Sequence, residues 1–74
     1  LEQRQLVRLL ERELADLMPE MREVLLLVAL DDLSYDEAAE LLDVPIGTVR
    51  SRVSRARSHL RARFESAGVA RLFN

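Results

Sequence analysis

The sequence predicts an all-α fold, a four-helix domain that contains a helix-turn-helix. Apolar residues make up 49% of the 74-residue chain, and they recur at helical spacing. The chain has only two Gly and two Pro, which leaves little room for hairpins or long loops. A chain of this length forms one domain at most, so we expect residues 1–74 to be a single domain.

The first two helices follow from leucine and valine spacing. Apolar residues at helical spacing predict a first helix over about residues 3–16: Leu6, Leu10, Leu14 and Leu17. Pro19 suits the first turn of a second helix, where its missing N–H costs nothing. Val24 and Leu25 belong to a broad apolar face of this helix. We expect the helix to span about residues 19–30 and to be the most buried of the four.

A capping box predicts the third helix. Ser34 and Glu37 stand three residues apart, so the hydroxyl can accept from the backbone N–H of residue 37 while Glu37 reaches back to residue 34. A helix over about residues 34–42 is therefore expected. Pro45 ends it, because the residue before a proline is pushed out of the α region.

The fourth helix completes the helix-turn-helix. Pro45 suits the beginning of a helix over about residues 46–65, and Gly68 suits its end. Two helices this close predict a helix-turn-helix over about residues 34–58, with a helical hairpin in a bundle as the alternative. The sequence assigns no role to the tail, residues 66–74. Three alternatives stay open: the tail folds back over the domain, makes a contact in the intact protein, or is disordered.

Charge divides the chain into two parts. Residues 1–43 hold four arginines and twelve acids, a net charge of −8. Residues 44–74 hold seven arginines and one acid, a net charge of +6. A basic helix on an acidic body predicts a polyanionic partner at one end only.

Helical periodicity separates the faces of the last helix. One stripe is apolar: Val49, Val53, Ala56, Leu60 and Phe64. The opposite face is small, polar or basic: Gly47, Ser51, Ser54, Arg55 and Ser58. Arg50 and Arg57 lie on one flank, and Arg52 and Arg63 lie on the other. Small outer residues would let the helix enter a major groove while flanking guanidinium groups reach phosphates. A solvated charged face is the alternative, but Glu65 is the one acid available there for pairing.

The sequence indicates no enzyme and no cofactor. There is no cysteine, and His59 has no second histidine, so we expect it to be a half-buried packing residue rather than a metal ligand. Asp31, Asp32 and Asp36 are better explained by a loop and a helix start. The longest apolar run is too short to span a bilayer. We therefore expect no membrane insertion, no small-molecule substrate and a cytoplasmic location.

Four segments carry a resemblance to a known family: residues 17–25 (LMPEMREVL), 33–42 (LSYDEAAELL), 44–52 (VPIGTVRSR) and 55–57 (RAR). Together they resemble region 4 of bacterial RNA polymerase sigma factors. The string PxGTVxSR followed by RAR particularly resembles the extracytoplasmic-function group. The resemblance covers about residues 5–64.

The resemblance implies a partner set and a site. Region 4 in this group binds the −35 promoter element as double-stranded DNA, docks on the β-flap of the RNA polymerase core, and is often covered by an anti-sigma factor. By matching positions, Arg50, Ser51, Ser54 and Arg55 would face the promoter, and the turn 45–48 would lie on the DNA backbone. With the outer face of the last helix, the expected DNA-binding residues are Gly47, Thr48, Arg50, Ser51, Arg52, Ser54, Arg55 and Ser58. Arg55 and Ser51 would lie nearest base edges, with Arg50 and Arg52 at phosphates. Leu25, Leu26 and Leu30 would serve protein partners.

Region 2, which opens promoters in this family, is absent from these residues, and Leu1 is no natural start. The resemblance therefore implies a fragment that binds DNA without initiating transcription. Two other functions stay open. One is a sigma mimic that sequesters an anti-sigma factor without contacting DNA. The other is the helix-turn-helix output domain of a response regulator.

Overall fold

The four predicted helices are present. The computed structural model describes residues 2–66 and 68, and it contains α1 (Gln3–Asp16), α2 (Pro19–Ala29), α3 (Tyr35–Leu42) and α4 (Ile46–Ser66). Within the described residues no strand occurs, so the all-α fold class is confirmed. In that same part of the chain, no helix combines the length and the apolar character that crossing a bilayer requires.

Each helix boundary lies within one residue of its predicted position, and local hydrogen bonds explain the differences. α2 ends one residue early, at Ala29, with the N–H of Leu30 still donating to the carbonyl of Leu26. Ser34 is the N-cap of α3 rather than its first residue. Its hydroxyl accepts from the N–H of Glu37 at 3.0 Å, and the Glu37 carboxylate accepts from the N–H of Ser34 at 2.9 Å. The predicted capping box is therefore confirmed.

The end of α4 also follows its predicted signal. Gly68 has a φ of +79°, and its N–H donates to the carbonyl of Glu65 at 3.0 Å. A left-handed glycine just past a helix is a common stop, because it has no Cβ to clash. The rest of the tail, for which the sequence left three alternatives open, lies outside the described residues.

The core consists of two apolar clusters that meet along α4. One cluster holds the helix-turn-helix together: Val24, Ala38, Ala39, Val49 and Val53. The other joins the second half of α4 to the first two helices: Leu17, Leu25, Ala56, Leu60 and Phe64, with Leu6, Leu9, Leu14 and Met21 packed against them. α1 contributes no fully buried residue. The acidic half of the chain thus supports α4 from one side and leaves its other side uncovered.

Candidate nucleic-acid interface

The buried stripe of α4 is the one that the sequence predicts. Its buried residues are Val49, Val53, Ala56, Leu60 and Phe64, with exposures of 2% or less. A helix that buries one stripe this completely cannot rotate, so the opposite face is held toward solvent. The orientation of every polar side chain on α4 follows from this burial.

Most of the predicted DNA-contacting residues lie on the outward side of α4. Six of them are exposed: Gly47, Arg50, Ser51, Ser54, Arg55 and Ser58. Thr48 and Arg52 are half-buried. From Gly47 to Ser58 the helix axis advances about 16 Å. Burial of Ser51 and Arg55 beneath neighbouring helices would have excluded a role in DNA binding, and both are exposed.

Two small residues let α3 lie close to α4. Ala38 is fully buried and Ala39 is 8% exposed, and both contact the cluster that contains Val49 and Val53. Methyl side chains allow two helix backbones to approach, whereas larger ones would separate them. The alanine pair therefore sets the position of α3 relative to α4, as a helix-turn-helix requires.

The turn between α3 and α4 uses a left-handed residue that the sequence analysis did not identify. Asp43 has a φ of +56°, and the N–H of Val44 donates to the carbonyl of Ala39 at 3.1 Å. This is the hydrogen bond of a Schellman motif, in which glycine is the usual left-handed residue. α4 then begins as the carbonyl of Pro45 accepts from the N–H of Thr48 at 2.9 Å.

Gly47 lies in the first turn of α4 and faces open space. A Cβ placed on it would meet no atom of the protein within 4 Å, and its φ is not positive. Neither packing nor backbone conformation within the chain therefore requires glycine here. The nearby hydroxyl of Ser51 donates to the carbonyl of Thr48 at 3.1 Å, so its oxygen remains an acceptor toward solvent.

The two flanks of α4 differ in charge, which corrects one expectation. Arg63, expected to reach phosphates with Arg52, instead pairs with acids of α1. Its Nε lies 3.4 Å from Oε2 of Glu13, and its Nη2 lies 3.8 Å from Oδ2 of Asp16. The sequence could not reveal this pairing because the two helices are far apart along the chain.

His59 belongs to the same cluster. Its side chain is 33% exposed, and Nε2 lies 3.8 Å from Oε2 of Glu13, so the expected half-buried position is confirmed. Ligand atoms of Glu13, Asp16 and His59 all lie within 4.8 Å of one another. The guanidinium of Arg63 already contacts both carboxylates, so we assign this cluster to holding α1 against α4.

A groove formed by residues of α1, α2 and α4 is apolar. It is lined by Leu10, Leu14, Leu25, Leu26, Ala29, Leu30 and Leu60, with Arg57 beside them. Of the three predicted partner-binding residues, Leu30 is 75% exposed and Leu26 is half-buried. Leu25 is only 8% exposed and belongs to the core cluster, so it contributes the groove floor rather than an accessible side chain. Leu10, 37% exposed on α1, also lines the groove, and its helical spacing alone did not indicate this position.

Comparison with known proteins gives a family for this arrangement. Residues 7–60 match the family described as Sigma-70, region 4, which covers all of α2 and α3, most of α1 and the outward residues of α4. The chain belongs to the sigma-70 region 4 family. The resemblance found in the sequence is therefore confirmed.

Curated proteins similar to the chain include extracytoplasmic-function (ECF) sigma factors. It is 53% identical over 49 residues to the ECF RNA polymerase sigma factor SigC of Mycobacterium tuberculosis, covering 66% of this chain and 26% of that protein. It is 48% identical over 46 residues to the ECF RNA polymerase sigma-E factor of Escherichia coli strain K12, covering 62% of this chain and 24% of that protein. The chain spans about a quarter of the length of these relatives. No solved structure gives a significant match.

Proposed function

We propose that this sigma-70 region 4 chain reads the −35 element of promoter DNA during transcription initiation. One observation carries the proposal. The outward face of α4 presents Ser51 and Arg55 to solvent, on a helix locked into a helix-turn-helix by its buried stripe. The second helix of such a motif is the element that enters the major groove.

Each outward residue has a role that its chemistry suits. Arg55 can donate two hydrogen bonds to a guanine edge, and Ser51 can accept or donate at a neighbouring base. Arg50 and Arg52 suit phosphates, while Ser54 and Ser58 keep the outer face narrow enough for a groove. Gly47 and Thr48, in the first turn of α4, suit close approach of a phosphate to the helix N-terminus.

Docking on RNA polymerase is the second part of the proposal. The groove around Leu26 and Leu30 is apolar and exposed, and exposed apolar patches mark protein interaction sites. We assign it to the β-flap of the polymerase core, and to an anti-sigma factor that competes for the same leucines. A cytoplasmic location, the absence of a cofactor and the absence of catalysis follow as parts of this proposal.

The two alternative functions have less support. The match to sigma-70 region 4 favours a sigma factor over the output domain of a response regulator. A sigma mimic that does not contact DNA would have no use for exposed Arg50 and Arg55, and both are present and exposed.

The test measures duplex DNA binding by the chain and two variants. A duplex selected from a random pool serves as the specific probe, and a shuffled version serves as the non-specific probe. Arg55→Ala should weaken specific binding by about 1–3 kcal/mol and relax preference at one base position. Arg50→Ala should weaken binding to both duplexes and flatten the salt dependence.

Arg8→Ala is the matched control, because Arg8 is an exposed arginine on α1 and its loss changes the net charge equally. It should leave duplex binding close to that of the parent. If Arg55→Ala and Arg50→Ala also bind as well as the parent at moderate salt, the proposed DNA-binding face is wrong. Selection that yields no preferred duplex would contradict promoter reading itself.

A further inference from the structure

The apolar groove formed by α1, α2 and α4 has one charged residue among the described residues that line it. Seven of those residues are apolar, and the eighth is Arg57. Arg57 precedes Leu60 on α4 by three residues, and its side chain is exposed. The sequence analysis expected its guanidinium group at DNA phosphates, so its position at the edge of the groove is a finding of the structure.

Arg57 borders two surfaces. It lines the apolar groove, and together with Arg50 and Ser54 it lines a concavity beside the beginning of α3. An arginine side chain lays its methylene groups along apolar surface while its guanidinium group stays in water. A protein partner that fills the groove therefore approaches the guanidinium group of Arg57 at the edge of the contact.

Within the described residues, the lining of the groove supplies no acid to Arg57. On the other flank of α4, Glu13 pairs with Arg63 instead. A partner that covers Arg57 with an apolar group would remove water from the guanidinium group without replacing its hydrogen bonds, which is unfavourable. A carboxylate replaces them, because it accepts two parallel hydrogen bonds from arginine. The groove is therefore suited to an apolar segment that has a carboxylate at its edge.

We infer that the segment of RNA polymerase that docks in this groove carries a carboxylate beside its apolar side chains, and that Arg57 pairs with this carboxylate. The inference rests on the proposed function, which assigns the groove to the β-flap. It gives Arg57 a role in specificity. The leucines of the groove accept any apolar segment of suitable shape, whereas Arg57 favours a segment with a matching acid and disfavours one without it.

Binding to core RNA polymerase in the absence of DNA tests the inference, because Arg57 also lies near the proposed DNA-binding face. The affinity of the fluorescently labelled chain is measured at low and at high salt. Arg57→Ala should weaken binding about fivefold at low salt, the effect of one well-aligned ion pair. The difference should shrink at high salt, because salt screens the pair. Arg57→Glu should weaken binding further, because it places like charges together.

A charge swap identifies the carboxylate. One Asp or Glu of the β-flap, changed to Lys, should weaken binding by the parent chain and restore binding by Arg57→Glu. Arg8→Ala controls for net charge, because Arg8 is exposed on α1 and lies outside the groove. Circular dichroism checks that each variant keeps the parental helix content.

Each contrary outcome has its own meaning. If Leu30→Ser weakens polymerase binding and Arg57→Ala does not, the inference fails and the docking proposal stands. If neither variant weakens binding, the assignment of the groove to polymerase fails as well. An equal loss for Arg57→Ala at low and high salt would mean that its methylene groups contribute and its charge does not, which overturns the inference. If the chain alone sediments as a dimer that Leu30→Ser disrupts, the groove binds a second copy and the inference fails.

Discussion

The carboxylate of Glu13 on α1 lies 3.4 Å from Nε of Arg63 near the end of α4. This pair joins the first helix to the last, and Asp16 and His59 surround it. It also places two acids of α1 beside the end of α4.

Arg63→Ala should affect stability slightly and DNA binding hardly at all. Arg63 is 54% exposed and Glu13 is 13% exposed. Exposed ion pairs contribute about 0–1 kcal/mol, and the partly buried carboxylate places this pair at the upper end of that range. The loss in free energy of unfolding should disappear at high salt, because salt screens surface pairs. Urea titration at two salt concentrations measures it. A flatter salt dependence of DNA binding in this variant would show that Arg63 contacts phosphates after all.

Gly47→Ala should separate folding from binding. The added methyl group meets no atom of the protein within 4 Å, and alanine favours a helix over glycine by up to about 1 kcal/mol. The variant should therefore be at least as stable as the parent. If a phosphate approaches this turn closely, the same methyl group should weaken binding to every duplex. Unchanged affinity in a stabilised variant would remove Gly47 from the interface.

Leu30→Ser should impair docking on RNA polymerase while leaving DNA binding intact. Leu30 is 75% exposed at the groove, so its loss should change the free energy of unfolding by about 0.5 kcal/mol or less. Leu41→Ser is the matched control, because Leu41 is 65% exposed on α3 and outside that groove. Binding to core polymerase, measured by fluorescence, should weaken only for Leu30→Ser. An equal loss of polymerase binding in both variants would indicate a non-specific hydrophobic effect.

The capping box of α3 should make stability depend on pH. The backbone N–H of Ser34, and then its hydroxyl, hold the pKa of Glu37 below its ordinary value of 4.5. Because the folded pKa is lowered, this contribution is fully present above pH 4.5 and is lost as the pH falls through the folded value. Glu37→Gln should remove this part of the pH dependence. A parental profile in Glu37→Gln would show that other carboxylates account for it.

The hydroxyl half of the same box can be tested separately. Ser34→Ala should lower the free energy of unfolding by about 0.5–2 kcal/mol, the usual effect of losing an N-cap. Thermal unfolding of Ser34→Ala beside Ser58→Ala, an exposed serine on α4, measures the difference. Equal melting temperatures for the two variants would mean that the cap contributes nothing to the fold.

Val53→Ala should destabilise the helix-turn-helix by about 1–3 kcal/mol, because it opens a cavity where α2, α3 and α4 meet. Val53 is 1% exposed in that cluster. Val7→Ala is the control, since Val7 is 46% exposed on α1. Chemical denaturation should show a clearly larger loss in the free energy of unfolding for Val53→Ala than for Val7→Ala. Similar losses would mean that the valine cluster is not the principal core of the motif.

Local signals account for what the sequence analysis predicted well. The capping box of Ser34 and Glu37 and the stop at Gly68 depend on residues a few positions apart. The buried stripe of α4 likewise follows from periodicity along one helix. Signals of this kind can be read without knowing how the helices pack.

Other features were missed because they depend on packing. The left-handed conformation of Asp43 has no signal as clear as a glycine, although aspartate tolerates that region better than most residues. The pairing of Arg63 with Glu13, the burial of Leu25 and the exposure of Leu10 depend on how α1 lies across α2 and α4. Periodicity identifies the apolar face of a helix but not which part of that face another helix covers.

The amino-acid order alone therefore specified the four helices, their boundaries to within a residue, the burial of one α4 stripe and the family. The helices, their boundaries and the buried stripe depend on residues that are neighbours along the chain or on one helix, and the family follows from four short segments of sequence. Tertiary packing decided that Arg63 faces acids of α1, and which leucines form a groove instead of core. Charge pairing and burial depend on distances in space, and residues distant in sequence acquire those distances only when the helices pack.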